Sequence, residues 1–147
     1  MTLYIITGPP CVGKSTYAQA HAKPSDMVID LDRIALSIAA EGTGHHNYPL
    51  AIRNTARLMR KAAIPAAVGH ARKADTYLID SKPGTRSRMI YKKNGAVFVE
   101  LSAPLATLVE RCRNERPAWV MQSLMSWWDE PDDTPTRLNR ANTDQRG

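Results

Sequence analysis

Residues 8–16 read GPPCVGKST, which sets Gly8, Gly13, Lys14 and Ser15 in the spacing Gly-x4-Gly-Lys-Ser. The apolar run LYIIT (3–7) leads into this stretch, and a helix-forming segment, 14–22, leads out of it. A loop in that position holds a polyphosphate. Its glycines let the backbone curl until successive N–H groups point inward, and the helix N-terminus adds partial positive charge. The chain from Gly8 through Pro9, Pro10, Cys11, Val12 and Gly13 would then wrap the anion. Lys14 would reach the β- and γ-phosphates, the Ser15 hydroxyl would ligate Mg²⁺, and Thr16 would cap the helix or touch the α-phosphate. The expected ligands are ATP and Mg²⁺. A chance glycine-rich turn is the alternative, and the flanking strand and helix argue against it.

Loops of this type serve hydrolases and transferases alike, so the other polar residues must decide. Motor ATPases follow a strand-end Asp with a water-orienting Glu, whereas here YLIDSK puts Ser81 after Asp80. The Asn/Thr-Lys-x-Asp signature for guanine is also missing. Transfer to a hydroxyl is the better reading, and it needs a carboxylate to take the acceptor's proton and cations to neutralise the moving phosphoryl group. VIDLDRI supplies Asp30 at a strand end, as a helix N-cap or a substrate contact, and Asp32 in the first helical turn as the candidate base. The neighbouring Arg33 is a candidate substrate ligand, and Asp80 could hold Mg²⁺ through water or orient substrate, the alternative being a strand-end turn carboxylate. Arg111 and Arg116 are candidate catalytic cations, and Arg113 a candidate ATP ligand, on a helix that could close as a lid. The alternative for these arginines is a solvated face paired with Glu110 and Glu115.

These residues need a scaffold. The chain has 147 residues, 43% of them apolar, enough for one core and no second folded domain. Apolar runs at 3–7, 27–29 (MVI), 77–79 (YLI) and 96–101 (AVFVEL) have the form of buried parallel strands, and each precedes a helical pattern. Helices are expected over 14–22, about 31–41, from Leu50 until Pro65 interrupts or restarts the helix, over 84–94 up to Asn94-Gly95, and over the two stretches 103–117 and 118–128. The fold expected is an α/β P-loop NTPase-like three-layer α/β/α sandwich with a short parallel sheet of about four strands and an arginine-bearing lid. Residues 1–128 form the domain, and the polar, proline-containing 129–147 is expected to be a loose tail.

The formal charge is +6, and between His45 and Lys93 eleven Lys or Arg face two acids, Asp75 and Asp80. Arg53, Arg57, Arg60 and Lys61 are expected on one helix face, opposite Ile52, Ala56, Met59 and Ala63. That stripe, Arg53 and Arg57 above all, would bind acceptor phosphates. His45, His46, Asn47 and Tyr48 precede it in a loop, where they could grip a base or sugar or be plain surface residues. Trp119, Trp127 and Trp128 would either stack bases or dock the last helix on the core, with docking favoured by their apolar surroundings. Cys11 and Cys112 have no metal-ligand spacing and are expected as reduced thiols, with no disulfide and no metal site. With no signal-peptide layout and no apolar run that could cross a membrane, a soluble cytoplasmic protein is expected.

Taken in order, GPPCVGKSTY, VIDLDRI, YLIDSKPG and APLATLVERCRNERP resemble the small P-loop kinases typified by phage polynucleotide kinase, over residues 3 to 117. The resemblance implies that Lys14 and Ser15 bind ATP and Mg²⁺, that Asp32 activates the acceptor hydroxyl, and that Arg111, with Arg116 or Arg113, stabilises the transferring phosphate. Membership in that phage group would place the protein in the host cytoplasm. One position departs: where polynucleotide kinases carry an Arg three residues after the base, this chain has Ala35, and Arg33 does not share its helix face. Related phage kinases phosphorylate hydroxymethyl groups on modified bases in DNA. The lead expectation is transfer from Mg·ATP to a hydroxyl of a nucleic acid or nucleotide, either a 5′-hydroxyl or a hydroxymethyl base. The alternatives are a kinase of a free nucleoside, nucleoside monophosphate or other small metabolite, and a non-catalytic nucleotide-binding module that contacts DNA.

Overall fold

A computed structural model describes residues 1–129. Four parallel strands, β1 (Leu3–Thr7), β2 (Met27–Ile29), β3 (Thr76–Ile79) and β4 (Val97–Glu100), form one sheet in the order β2-β3-β1-β4. In register, Ile5 lies beside Leu78 on one side and Phe98 on the other. The apolar runs of β1 and β3 follow from burial on both faces: Ile5, Ile6 and Leu78 are wholly inaccessible, as parallel strands covered by helices should be. Each such side chain contributes about 1.5–3 kcal/mol relative to exposure.

The helices α1 (Lys14–His21), α2 (Leu31–Ile38), α3 (Leu50–His70), α4 (Thr85–Lys93), α5 (Leu105–Glu115) and α6 (Ala118–Asp129) complete the layers. On one face Leu3, Ile5 and Leu78 pack with Tyr91 of α4 and with Ile64 and Val68 of α3. On the other, Ile6, Tyr77 and Ile79 pack with Ala18 of α1. A further cluster joins Val12 to Leu108 and Cys112 of α5 and to Val120 and Leu124 of α6. The expected α/β sandwich with a short parallel sheet is the one observed. Asn94 caps α4 and Gly95 adopts φ 72°, so the turn stands where Asn-Gly placed it.

Two boundaries differ from expectation. Helix α3 runs unbroken through Pro65. Proline forfeits one backbone hydrogen bond, and burial of Ala56 and Ala67 on either side of it holds the helix together. Helix α2 stops at Ile38, three residues before the periodicity suggested, because Ala39 turns to extended geometry. The tail expected from residue 129 onward lies, beyond Asp129 itself, outside the described residues. Among the described residues no helix is long and apolar enough to cross a membrane.

Candidate active site

The loop between β1 and α1 offers its main chain and hides much of its side-chain surface. Gly8 has φ 145°, and a Cβ there would sit 2.6 Å from the Leu101 carbonyl oxygen, so both conformation and space require glycine. Its N–H donates to the Ser81 carbonyl at 3.1 Å, which ties the loop to the end of β3. The Pro9 side chain is buried, and that of Val12 packs against Leu108. Gly13, left-handed at φ 98°, turns the chain into α1. Lys14 Nζ donates to the carbonyls of Gly8 (3.0 Å) and Pro9 (2.7 Å), bending its ammonium back over the loop.

Cys11 corrects the expectation of two reduced thiols: it forms a disulfide with Cys112 of α5, their Cα atoms 5.8 Å apart. Spacing along the chain, 101 residues, carried no hint of this, because α5 returns across the loop only in the folded molecule.

Beside the loop lies a cleft of about 560 Å³ at the carboxyl ends of the strands, where open α/β sheets bind ligands. Lys14, Ser15 and Thr16 form one wall. Asp30 and Asp32 enter from the β2–α2 junction. Asp30 Oδ1 accepts the Asp32 N–H at 3.1 Å, the N-cap expected, while the buried Oδ2 has no hydrogen-bond partner among the described residues. Asp32 is half exposed, and its Oδ2 lies 3.4 Å from His46 Nδ1. Asp80 ends β3; its Oδ2 accepts from the Tyr91 hydroxyl at 2.9 Å and lies 3.8 Å from Arg60 Nη2. Burial, followed by the Asp80 charge, pushes the Tyr91 phenol well above its ordinary value.

Helix α3 corrects the expected face. Arg53, Ala56, Arg57 and Arg60 all line the cleft, at the helical steps three, one and three, so the arginines stand beside Ala56 and not opposite it. Met59 is 41% exposed, and Lys61 lies outside the cleft lining. Arg60 also donates to the Ile79 carbonyl at 2.8 Å. The Arg53 guanidinium lies over the Trp119 ring, 5.1 Å from its centroid, and that ring lines the cleft and is 46% exposed.

The arginines expected on the lid divide three ways. Arg116 lines the cleft. Arg111 reaches the Cys11 and Val12 carbonyls at 3.5 Å. Arg113 is placed away from the expected ATP site: it lines a surface hollow with Leu105, Val109 and Glu110, because it falls on the outer face of α5. Arg33 likewise lies on the exposed side of α2, outside the cleft lining. Of the tryptophans, Trp127 is buried and Trp128 packs on the α5–α6 cluster as docking residues do, whereas Trp119 does not. Ser81, Lys82 and Ser123 also line the cleft without having been singled out for it, and so do His46 and Tyr48. Those two belong to the loop of His45, His46, Asn47 and Tyr48, expected either to grip a base or sugar or to be plain surface residues.

No protein-family profile and no curated protein matches this chain. Among solved structures, a chain of the Pnkp1/Rnl/Hen1 RNA repair complex is similar over 99% of this one, at 15% identity and a TM-score of 0.58. This chain spans 45% of that one, less than half its length. A protein described as a candidate kinase from Chloroflexus aurantiacus J-10-fl is similar over 97% of this chain and 79% of its own, at 18% identity and a TM-score of 0.52. What this chain shares with these two structures is the fold, an α/β sandwich around a short parallel sheet.

Proposed function

We propose that this protein transfers the γ-phosphate of Mg·ATP to a hydroxyl of a nucleic acid or nucleotide. The observation that carries the proposal is the single cleft in which a phosphate-holding loop, a half-exposed acid and four arginines meet: Lys14 and Ser15, Asp32, and Arg53, Arg57, Arg60 and Arg116. In this reading Lys14 swings from the loop carbonyls onto the transferring phosphate, and Asp32 accepts the acceptor's proton. Arg116 neutralises charge on the phosphoryl group from the side of α5.

The oxygen donors at the loop suit Mg²⁺. The Ser15 hydroxyl and the Asp80 carboxylate line the same cleft, and Asp80 shares one oxygen with Tyr91. Among the described residues no three His, Cys, Asp or Glu side chains gather into a metal site, which fits an ion held largely by phosphate and water. Bound there, Mg²⁺ would neutralise phosphate charge.

Arg53 and Arg57 favour a phosphorylated acceptor. Ala35 leaves α2 without the cation that polynucleotide kinases place there, and it lines the cleft beside Ala56, so α3 supplies arginines to the same space. The exposed Trp119 ring under Arg53 adds a face on which a base can stack. The test is incubation with γ-labelled ATP and Mg²⁺ and a panel of 5′-hydroxyl oligonucleotides, hydroxymethylated DNA, nucleosides and nucleoside monophosphates. Label on an oligonucleotide or nucleotide supports the proposal. Label on none of the panel, with ATP bound, would favour the non-catalytic module.

A further inference from the structure

His46 is one of three non-glycine residues among those described with positive φ, here 66°. Histidine tolerates that geometry better than most residues, yet it remains uncommon, and such conformations gather where a side chain must be aimed. The His46 side chain is only 17% exposed, and a chain of contacts fixes it. Tyr48 is buried against Ala35 and Ala56, its hydroxyl lies 2.7 Å from His45 Nδ1, and the His45 and His46 rings pack with centroids 3.6 Å apart. At the end of this chain His46 Nδ1 meets Asp32 Oδ2 at 3.4 Å.

We propose that His46 is the positioning residue of the acceptor-side acid: its Nδ1–H holds Asp32 Oδ2 so that Oδ1 faces the acceptor hydroxyl. This rests on the kinase reading of the cleft. In the step so arranged, the acceptor oxygen forms the new bond to the γ-phosphorus, and the bond from that phosphorus to the bridging oxygen breaks with its electron pair left on ADP. The hydroxyl proton goes to Asp32 Oδ1 and then to water, and His46 keeps its own proton throughout.

The surroundings keep the ring neutral near pH 7. His46 faces Asp32 and Asp30 from the β2–α2 junction, Arg116 from the end of α5 and His45 in its own loop; Lys14, Arg53 and Arg57 line the same cleft. Burial, Arg116 and His45 outweigh the two acids, and the pKa falls below the usual 6.5. Protonation in acid would turn a neutral donor into a cation against the base and weaken its hold on a proton. Transfer should therefore rise with pH through the His46 pKa and level off above it.

Two substitutions tolerate the left-handed backbone. His46→Gly removes the ring, and His46→Asn keeps an N–H donor that does not titrate. With an acceptor from the panel, measured from about pH 5 to pH 8, His46→Gly should lose about tenfold in kcat with the KM for ATP unchanged. His46→Asn should recover most of that loss near pH 8, and both variants should lose the acid limb set by His46. A His46→Gly enzyme within about twofold of wild type, or an unchanged acid limb in both variants, would overturn the proposal. NMR titration of the His46 ring in wild type and Asp32→Asn needs no acceptor. The ring should titrate below 6.5 and at still lower pH in the variant, where the supporting carboxylate is gone. Identical titration curves would show that the contact is absent and overturn the proposal, whereas a wild type that phosphorylates nothing would remove the kinase reading itself.

Discussion

Around Gly8–Ser15 the cleft wall is largely main chain: Pro9 and Val12 turn into the body, Gly8 admits no Cβ, and the loop N–H groups sit at the head of α1. Across the cleft the wall is all side chain. Asp32 comes from α2, His46 from the following loop, Arg53 and Arg57 from α3, Arg116 from the end of α5 and Trp119 from α6. In the proposed reading a wall of backbone recognises what every nucleoside triphosphate shares, its phosphates, and tolerates change only where the glycines stay. A wall of side chains from five segments can be rebuilt residue by residue without disturbing the sheet, so under the proposed transfer reaction specificity for the acceptor would reside there. The donor side should therefore fail completely when its one essential side chain is removed, and the acceptor side should fail by degrees.

The largest effect belongs to Lys14→Ala. Its ammonium bends over the Gly8 and Pro9 carbonyls, while Arg111 lies farther off, 3.5 Å from those of Cys11 and Val12, and removing a preorganised charge at transferring phosphate costs about 10³-fold in kcat. Circular dichroism should be unchanged, since Lys14 lies at the first turn of α1 and packs on no core cluster. A loss below tenfold would mean that the backbone alone does the donor's work. Asp32→Asn should come next, at about 10²-fold in kcat with ATP affinity intact, as measured by calorimetric titration beside a transfer assay. A fully active variant would move the base to Asp30, whose buried Oδ2 has no hydrogen-bond partner among the described residues.

On the acceptor side the effects should move from kcat to KM. Arg53→Ala removes a guanidinium that lies over the Trp119 ring and whose buried Nε has no hydrogen-bond partner among the described residues. The acceptor KM should rise about tenfold, while the KM for ATP stays put. With an oligonucleotide acceptor, the dependence of KM on salt should also flatten by about one counterion. An equal rise in both KM values would erase the distinction between the two walls.

The same division explains what could be read before the fold was known. The donor loop is nine consecutive residues, and contiguous geometry survives in a string of letters. The sheet was visible because strands buried on both faces need apolar runs, as in LYIIT and TYLI. The acceptor wall had no such signal, since residues 32, 46, 53, 116 and 119 meet only through the tertiary fold. In α3 the apolar pattern even pointed the wrong way: of the residues expected opposite the basic stripe, Met59 is exposed and Ala56 is buried among the arginines themselves. His46 looked like a surface residue because the carboxylate it meets, Asp32, lies at the start of α2, whose orientation toward that loop the sequence leaves open.

The Cys11–Cys112 bridge tests how far the backbone wall stands by itself, and it should show the smallest effect on turnover. It closes a loop of about a hundred residues, which on chain-entropy grounds adds up to about 4–5 kcal/mol of stability. Reduction, or Cys112→Ala, should accordingly lower the melting temperature by several degrees or more. Transfer measured well below that temperature should change by less than about threefold. The loop keeps its other anchors without the bridge: the Gly8 N–H on Ser81, the buried Pro9, and Val12 against Leu108. Quantifying free thiols before and after reduction shows whether the bridge is present in the sample assayed, and none should react beforehand. A collapse of turnover at constant fold would mean that α5 holds the phosphate loop in shape. The donor wall would then depend on distant side chains as much as the acceptor wall does.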